Sequence, residues 1–341
     1  MKRLLSIDVF RGITIFFMIL VNTQAGGGFD FLIHISGYGW RIADLVYPSF
    51  IFIMGASIYL STRKYADTLS TKLFVHILRR TVLIFLMGIV FNWIPFDYNL
   101  FDVRVLGVLQ RIAIVYFICS LLVMKIRSVS ALLGISAGIW VVYSLLTIHG
   151  YEVVDTIDLA VIGSAHMYTP THDPEGLLSS FPAVANALIG YASARILMEN
   201  QLKSRLVRMG SLAFIMIVLA YVLHATFIPI YKTYWSSSFG LFTTGVSLLV
   251  MIIMHLICDV WGKKKWGIAF EVLGKNSIVC YFFSALVASF FWKFGVAEVL
   301  IGFYQRFMNQ QFVSLSWGLT VFFLCLLLGY CLHVKKIYIR L

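Results

Sequence analysis

Apolar residues recur along this chain in runs of about twenty, parted by short polar connections. A run of that length crosses the hydrocarbon of a bilayer as a helix. Ten are predicted, at roughly 5–22, 42–61, 73–93, 104–124, 128–147, 176–198, 209–230, 238–261, 275–294 and 312–334. The pattern predicts an all-α, polytopic integral membrane protein with about ten transmembrane helices. The runs fill the sequence, so residues 1–341 read as one transmembrane domain with no room for a separate soluble one. Residues 262–276, GKKKWGIAFEVLGKN, read as a short interfacial helix leading into the ninth span. Residues 148–176 read as a long loop. Asp8 and Arg11 interrupt the first run and no cleavage site follows, so it reads as a retained span and not a signal peptide. No internal repeat is visible.

Composition agrees: 60% of residues are hydrophobic and 12% charged, where a soluble domain has about 25% charged. The net charge of +12 would suit nucleic acid, but its placement argues for topology instead. With Lys2 and Arg3 in the cytoplasm, the even-numbered connections share that side. They carry Arg63, Lys64, Lys72, Lys125, Arg127, Lys203, Arg205, Arg208 and Lys263 to Lys265, and the tail adds Lys335, Lys336 and Arg340. The opposite connections carry Asp30, Asp97, Asp102, Glu152, Asp155, Asp158, Asp173, Glu175 and Glu298. The positive-inside rule then puts both termini in the cytoplasm and leaves no nucleic-acid partner implied. The five cysteines lie in apolar runs with neither metal nor disulfide spacing, and no metal site is expected.

Ionisable groups inside spans are costly and mark a functional path or a pairing. Asp8 and Arg11 share a helix face and read as an ion pair or as a site. Arg79 and Arg80 lie near the cytoplasmic start of the third span, where snorkelling also accounts for them. Arg111, seven residues after Arg104, sits too deep for that. Four histidines fall on the outer side: His34, His149, His166 and His172. His34 differs in its setting, following Asn22 and the glycines of AGGG (25–28), with Asp44 at the start of the next span. A histidine beside a carboxylate has a fixed tautomer suited to general-base work.

The blocks SIDVFRG (6–12), VN (21–22), GGG (26–28) and ADLVYPSFIFIMG (43–55) resemble the transmembrane acyltransferases, the group that includes heparan-α-glucosaminide N-acetyltransferase and bacterial relatives. The likeness continues in order through RVLGVLQRIAIVYF (104–117), AHMY (165–168), DPEGLLSSFPAVANALIGYASARIL (173–197), KTYWSSSFGLFTTG (232–245) and GKNSIVCYF (274–282). It implies a multispanning helical enzyme of the bacterial inner membrane that takes acetyl from acetyl-CoA in the cytosol and passes it to an amine or hydroxyl of a sugar on the other side. The family's catalytic histidine matches His34, its polar companions match Asn22 and Asp44, and Arg11 and Asn276 match the arginine and asparagine of the FRG and GKNS blocks. Two departures stand out. No counterpart of the human-type lumenal domain is visible, and KTYWSSS lacks the family's proline, so the acceptor differs or stays open.

In that chemistry His34 accepts the amine proton in a direct transfer within a ternary complex, or, as the alternative, carries the acetyl group itself; an acetyl-cysteine is disfavoured, since no cysteine lies at the outer mouth. Asp44 orients the imidazole or holds an ammonium, and Asn22 donates to the oxyanion. The anionic nucleotide of acetyl-CoA stays at a basic cytosolic surface, with Arg11, Arg79, Arg80, Lys275 and Asn276 as candidates. Trp40, His172, Asp173, Glu175, Lys232 and Trp235 are the candidates for binding an amino sugar or glycan. The lipid bilayer is the other partner implied, and homo-oligomerisation stays open. The alternative function is an amino-sugar transporter, which the missing repeat disfavours.

Overall fold

The computed structural model describes residues 4–63 and 70–338. The basic residues Lys2, Arg3, Lys64 and Arg340 lie outside the described residues. The first helices are α1 (Leu5–Asn22), α2 (Ile42–Thr62), α3 (Thr71–Trp93), α4 (Val108–Lys125), α5 (Val129–Thr147), α6 (Glu152–Ile162) and α7 (Ser180–Leu197). There follow α8 (Leu202–Thr226), α9 (Ser237–His255), α10 (Ile268–Lys275), α11 (Ser277–Lys293), α12 (Val296–Gln305) and α13 (Gln310–Val334). Among the described residues there is no strand beyond an isolated Thr169–His172 bridge. Several helices start where the sequence supplies a cap: the side chains of Ser70, Ser128, Ser236 and Asn309 accept from the backbone three residues on.

Among the described residues, eight helices are long and apolar enough to cross a bilayer, and the bent pair α10–α11 makes nine. The expected span not among them is the sixth, 176–198, which corresponds to α7; this helix is as long as α1 at 18 residues but carries Asn186, Arg195 and several serines. The physical reason is its place: sixteen of its 18 residues are buried, so protein and not lipid surrounds it, and it need not be apolar. By contrast α3, α5 and α8 bury only 22% of their spans and turn side chains such as Leu145 and Phe214 outward, as lipid-facing helices do. The stretch 148–176, expected as a loop, contains α6, whose apolar run is too short to cross. α12, likewise short, was not expected.

Glycines set the closest helix contacts. A Cβ on Gly55 would lie 1.8 Å from the carbonyl oxygen of Ala187, and one on Gly190 would lie 1.9 Å from that of Phe52. α2 and α7 therefore touch backbone to backbone, the small-residue packing that bundles in lipid rely on. Gly12 and Gly274 do the same for α1 and α10, at 1.8 and 1.9 Å from Phe270 and Asp8 carbonyls. The chain breaks by 79° between α10 and α11 at Asn276, whose amide donates to the Ile337 carbonyl at 3.2 Å.

Replacing Gly190 by leucine forces α2 and α7 apart, because the obstacle is a carbonyl and not a flexible side chain. Overpacking of this kind costs about 1–3 kcal/mol. The detergent-solubilised Gly190→Leu variant is expected to melt several degrees below wild type, and Gly210→Leu, where no atom lies within 4 Å of the added Cβ, is expected to melt with it.

Candidate active site

Two cavities lie end to end along α1, α2, α4 and α11. The lining passes from one to the other within a single turn of three helices: Phe50 to Tyr47 on α2, Ile112 to Arg111 on α4, Ile278 to Tyr281 on α11. One cavity, of about 390 Å³, is at the end that holds the start of α1 and the break between α10 and α11. The other, of about 380 Å³, is at the end that holds Asn22 and His34.

The second cavity is built around Asp44. The residue stands in the first turn of α2, and its Oδ2 accepts from the backbone N–H groups of Arg41 at 2.8 Å and Ile35 at 3.3 Å. A carboxylate there also meets the positive end of the helix dipole. One oxygen thereby anchors the preceding loop. The other, Oδ1, lies 2.9 Å from His34 Nδ1 and 3.0 Å from Lys232 Nζ. Asp44 has no exposed surface, whereas the His34 side chain is 44% exposed. A carboxylate oxygen cannot donate, so Nδ1 carries the proton and Nε2 is the basic nitrogen. The loop turns through Gly39, at φ +108°, whose N–H donates to the Ile230 carbonyl at 2.8 Å. That bond ties the His34 loop to the α8–α9 connection carrying Lys232.

A second ion cluster forms the opposite wall. Arg104 donates through Nε to Asp173 Oδ2 at 2.9 Å, and through Nη2 to Asp173 Oδ1 and Glu175 Oε2, both at 2.5 Å. Burial acts against the Arg104 charge, but these carboxylates hold its pKa above the ordinary range. Arg111 is 1% exposed and donates to the Pro174 carbonyl at 2.7 Å and to the hydroxyls of Ser179 and Ser180. Its guanidinium lies 5.0 Å from the ring centre of Trp235. Asn22, on the last turn of α1, donates to the Tyr281 hydroxyl at 3.1 Å.

Of the residues singled out from the sequence, His34, Asn22, Glu175, Lys232 and Trp235 line this cavity. Asp44 and Asp173 stand behind the lining and hold it. Trp40 and His172 do not line it. Trp40 donates to the Tyr221 hydroxyl and packs on Phe242, while His172 Nδ1 bonds Asp155 at 2.6 Å with Tyr234 alongside. Sequence reasoning assigned no site role to Tyr47, Tyr168, Tyr281, Arg104 or Arg111, all of which line the cavity. Only the arginines carried a signal, as charges at the outer end of the fourth run.

Arg11, Arg80 and Lys275 line the first cavity, with Tyr116 and Tyr338. Arg11 is held by the Gly274 carbonyl at 3.1 Å, by the Ser57 hydroxyl, and by Asp8 at 3.8 Å. Arg80 lies over the Tyr116 ring, 4.6 Å from its centre, with its Nε buried and without a hydrogen-bond partner. Lys275 pairs with Glu271 at 2.7 Å. Arg79 is exposed and outside the lining, and Asn276 is buried beside it.

Comparison with known proteins places this geometry. The family model described as heparan-alpha-glucosaminide N-acetyltransferase, catalytic, matches residues 3–233. The heparan-alpha-glucosaminide N-acetyltransferases of Homo sapiens and Mus musculus are each 25% identical to the chain, over 98% and 99% of its length. The chain spans 59% and 60% of the length of those two relatives. The matched segment covers the whole of α1 and ends at Thr233, and so takes in the His34–Asp44 pair, Lys232 and the wall opposite them. On that match the chain belongs to the heparan-alpha-glucosaminide N-acetyltransferase catalytic family.

Proposed function

We propose that this protein is a membrane-embedded acetyltransferase that moves acetyl from acetyl-CoA, bound at the basic face, to an amine or hydroxyl of a sugar at the His34 face. The observation that carries the reading is the pair of cavities stacked along the same four helices, one with cations at its rim and one with a histidine–carboxylate pair. Acetyl-CoA is too anionic to cross hydrocarbon, whereas its uncharged pantetheine arm is thin. The chemistry of the first cavity fits it: Arg11, Arg80 and Lys275 border the space, and Arg80 has a buried N–H still without a partner. These residues would hold phosphates, with Tyr116 and Tyr338 as flat apolar surfaces beside them.

His34 Nε2 takes the proton of the acceptor amine as its nitrogen bonds to the acetyl carbonyl carbon. The carbon–sulfur bond breaks, and the proton held on His34 passes to the departing sulfur, which leaves as a thiol. Asn22 and Arg111 border the space where the carbonyl oxygen gains charge. Glu175 is the carboxylate in the lining, suited to an acceptor ammonium, and Trp235 offers an aromatic wall to a sugar ring. The basic connections belong in the cytosol and the His34 face outside, in a bacterial inner membrane.

Two measurements test this reading. In a cysteine-free background, a membrane-impermeant thiol reagent added outside intact cells is expected to label Thr171→Cys and not Gln201→Cys; both positions are exposed. The reverse pattern places His34 in the cytosol and refutes the proposed direction of transfer. With labelled acetyl-CoA and a panel of amino sugars, His34→Ala is expected to lose transfer by about 100-fold or more, the scale of a missing general base. Near-normal turnover in that variant removes His34 from the chemistry. Uptake of amino sugar without acetyl-CoA, and with no acetylated product, identifies a transporter instead.

A further inference from the structure

Lys232 has no part in the transfer just described, yet its ammonium shares a carboxylate oxygen with the base. Asp44 Oδ1 meets both His34 Nδ1, at 2.9 Å, and Lys232 Nζ, at 3.0 Å. Two nitrogens on one oxygen are close enough for positive charges on both to repel strongly in a partly desolvated site. Lys232 is also fixed in place. Its neighbour Tyr231 donates its N–H to Ser236 Oγ at 3.0 Å, and Ile230 accepts from Gly39. Burial pulls the Lys232 ammonium below the ordinary lysine range, while the Asp44 charge acts against that pull.

The remaining charges that face His34 lie across the cavity. Arg104 pairs with two carboxylates, Asp173 and Glu175, so that cluster carries one net negative charge. Arg111 has no carboxylate within ion-pair distance among the described residues and adds positive potential. Tyr47, Tyr168 and Tyr281 contribute phenol hydroxyls. His34 therefore stands beside one buried carboxylate that Lys232 already compensates, facing a wall whose two arginines, Arg104 and Arg111, balance the two carboxylates Asp173 and Glu175.

We propose that Lys232 is a positioning residue for His34: by compensating the Asp44 carboxylate it keeps the imidazole neutral, with Nδ1–H toward Asp44 and Nε2 ready to accept a proton. The role rests on His34 being the base, but its content, the proton affinity of His34, exists without any substrate. Take Lys232 away, and Asp44 is left with His34 as its one cationic partner. The imidazolium is then favoured, and a protonated His34 has no lone pair on Nε2 to offer.

The test is the rate at which diethylpyrocarbonate modifies His34, read by peptide mass spectrometry on the purified full chain across a pH series. The reagent attacks neutral imidazole, so the midpoint of the rate reports protonation. Lys232→Met is expected to move that midpoint upward by about one pH unit or more, the effect of a charge at this distance. Lys232→Arg, which keeps the charge, is expected to stay close to wild type. Lys232→Gln supplies the neutral comparison if Lys232→Met does not fold. In the transfer assay the acidic limb of the pH–rate profile moves with the midpoint, so the neutral variants recover rate as pH rises. A midpoint unmoved in both neutral variants, or moved downward, overturns the proposal. A midpoint moved upward in preparations that transfer no acetyl in any variant sustains the role of Lys232 and overturns the acetyltransferase reading instead.

Discussion

A carboxylate with no exposed surface must have both oxygens satisfied, or it destabilises the fold that buries it. Asp44 meets that condition with four partners: two backbone N–H groups on one oxygen, and His34 and Lys232 on the other. Those partners come from the connection between α1 and α2 and from the connection between α8 and α9. One side chain thus draws two distant parts of the sequence to a single point. The cavity beside it is the space left when they meet. Another buried carboxylate, Asp173, does the same on the facing wall, bonding Arg104 and the N–H groups of Tyr168 and Glu175.

The position of Asp44 depends in turn on α2, and α2 is seated on α7 through Gly55 and Gly190. Close backbone contact leaves these helices little freedom to slide. The same device seats α1 on α10, next to the break that opens the other cavity. Irregular backbone at membrane depth is tolerated where it lines a cavity, and the break between α10 and α11 does so, with Lys275 and Ser277 in the lining. The two cavities are consequences of helix seating, and their alignment follows from the four helices they share.

Much of this fold was legible in the sequence, because the hydrocarbon thickness imposes a length that apolar runs report directly. The first and second runs end within a residue of α1 and α2. α7 was legible as a run although its polar residues keep it from passing as a lipid-facing span, and α6 and α12 escaped because short amphipathic helices leave a weaker signal. The meeting of His34 with Asp44 followed from their closeness in sequence. The partnership of Asp44 with Lys232, 188 positions away, did not, since nothing local to KTYW reports what its lysine faces. Trp40 and His172 sit near site residues in sequence but turn to Tyr221 and Asp155. Tyr47 and Tyr281 were invisible as site residues because aromatics inside apolar runs read as core.

The central claim is that one end of the stacked cavities receives the donor while the other receives the acceptor. The direct measurement uses proteoliposomes of the purified chain with sealed, sided contents: acetyl-labelled acetyl-CoA on the face of Arg11, Arg80 and Lys275, and an amino sugar on the face of His34. Labelled N-acetylated sugar is predicted to accumulate on the His34 side alone, and only when both substrates are present on their own sides. Product formed when donor and acceptor share the His34 side, and absent when they are separated by the membrane, would contradict the account.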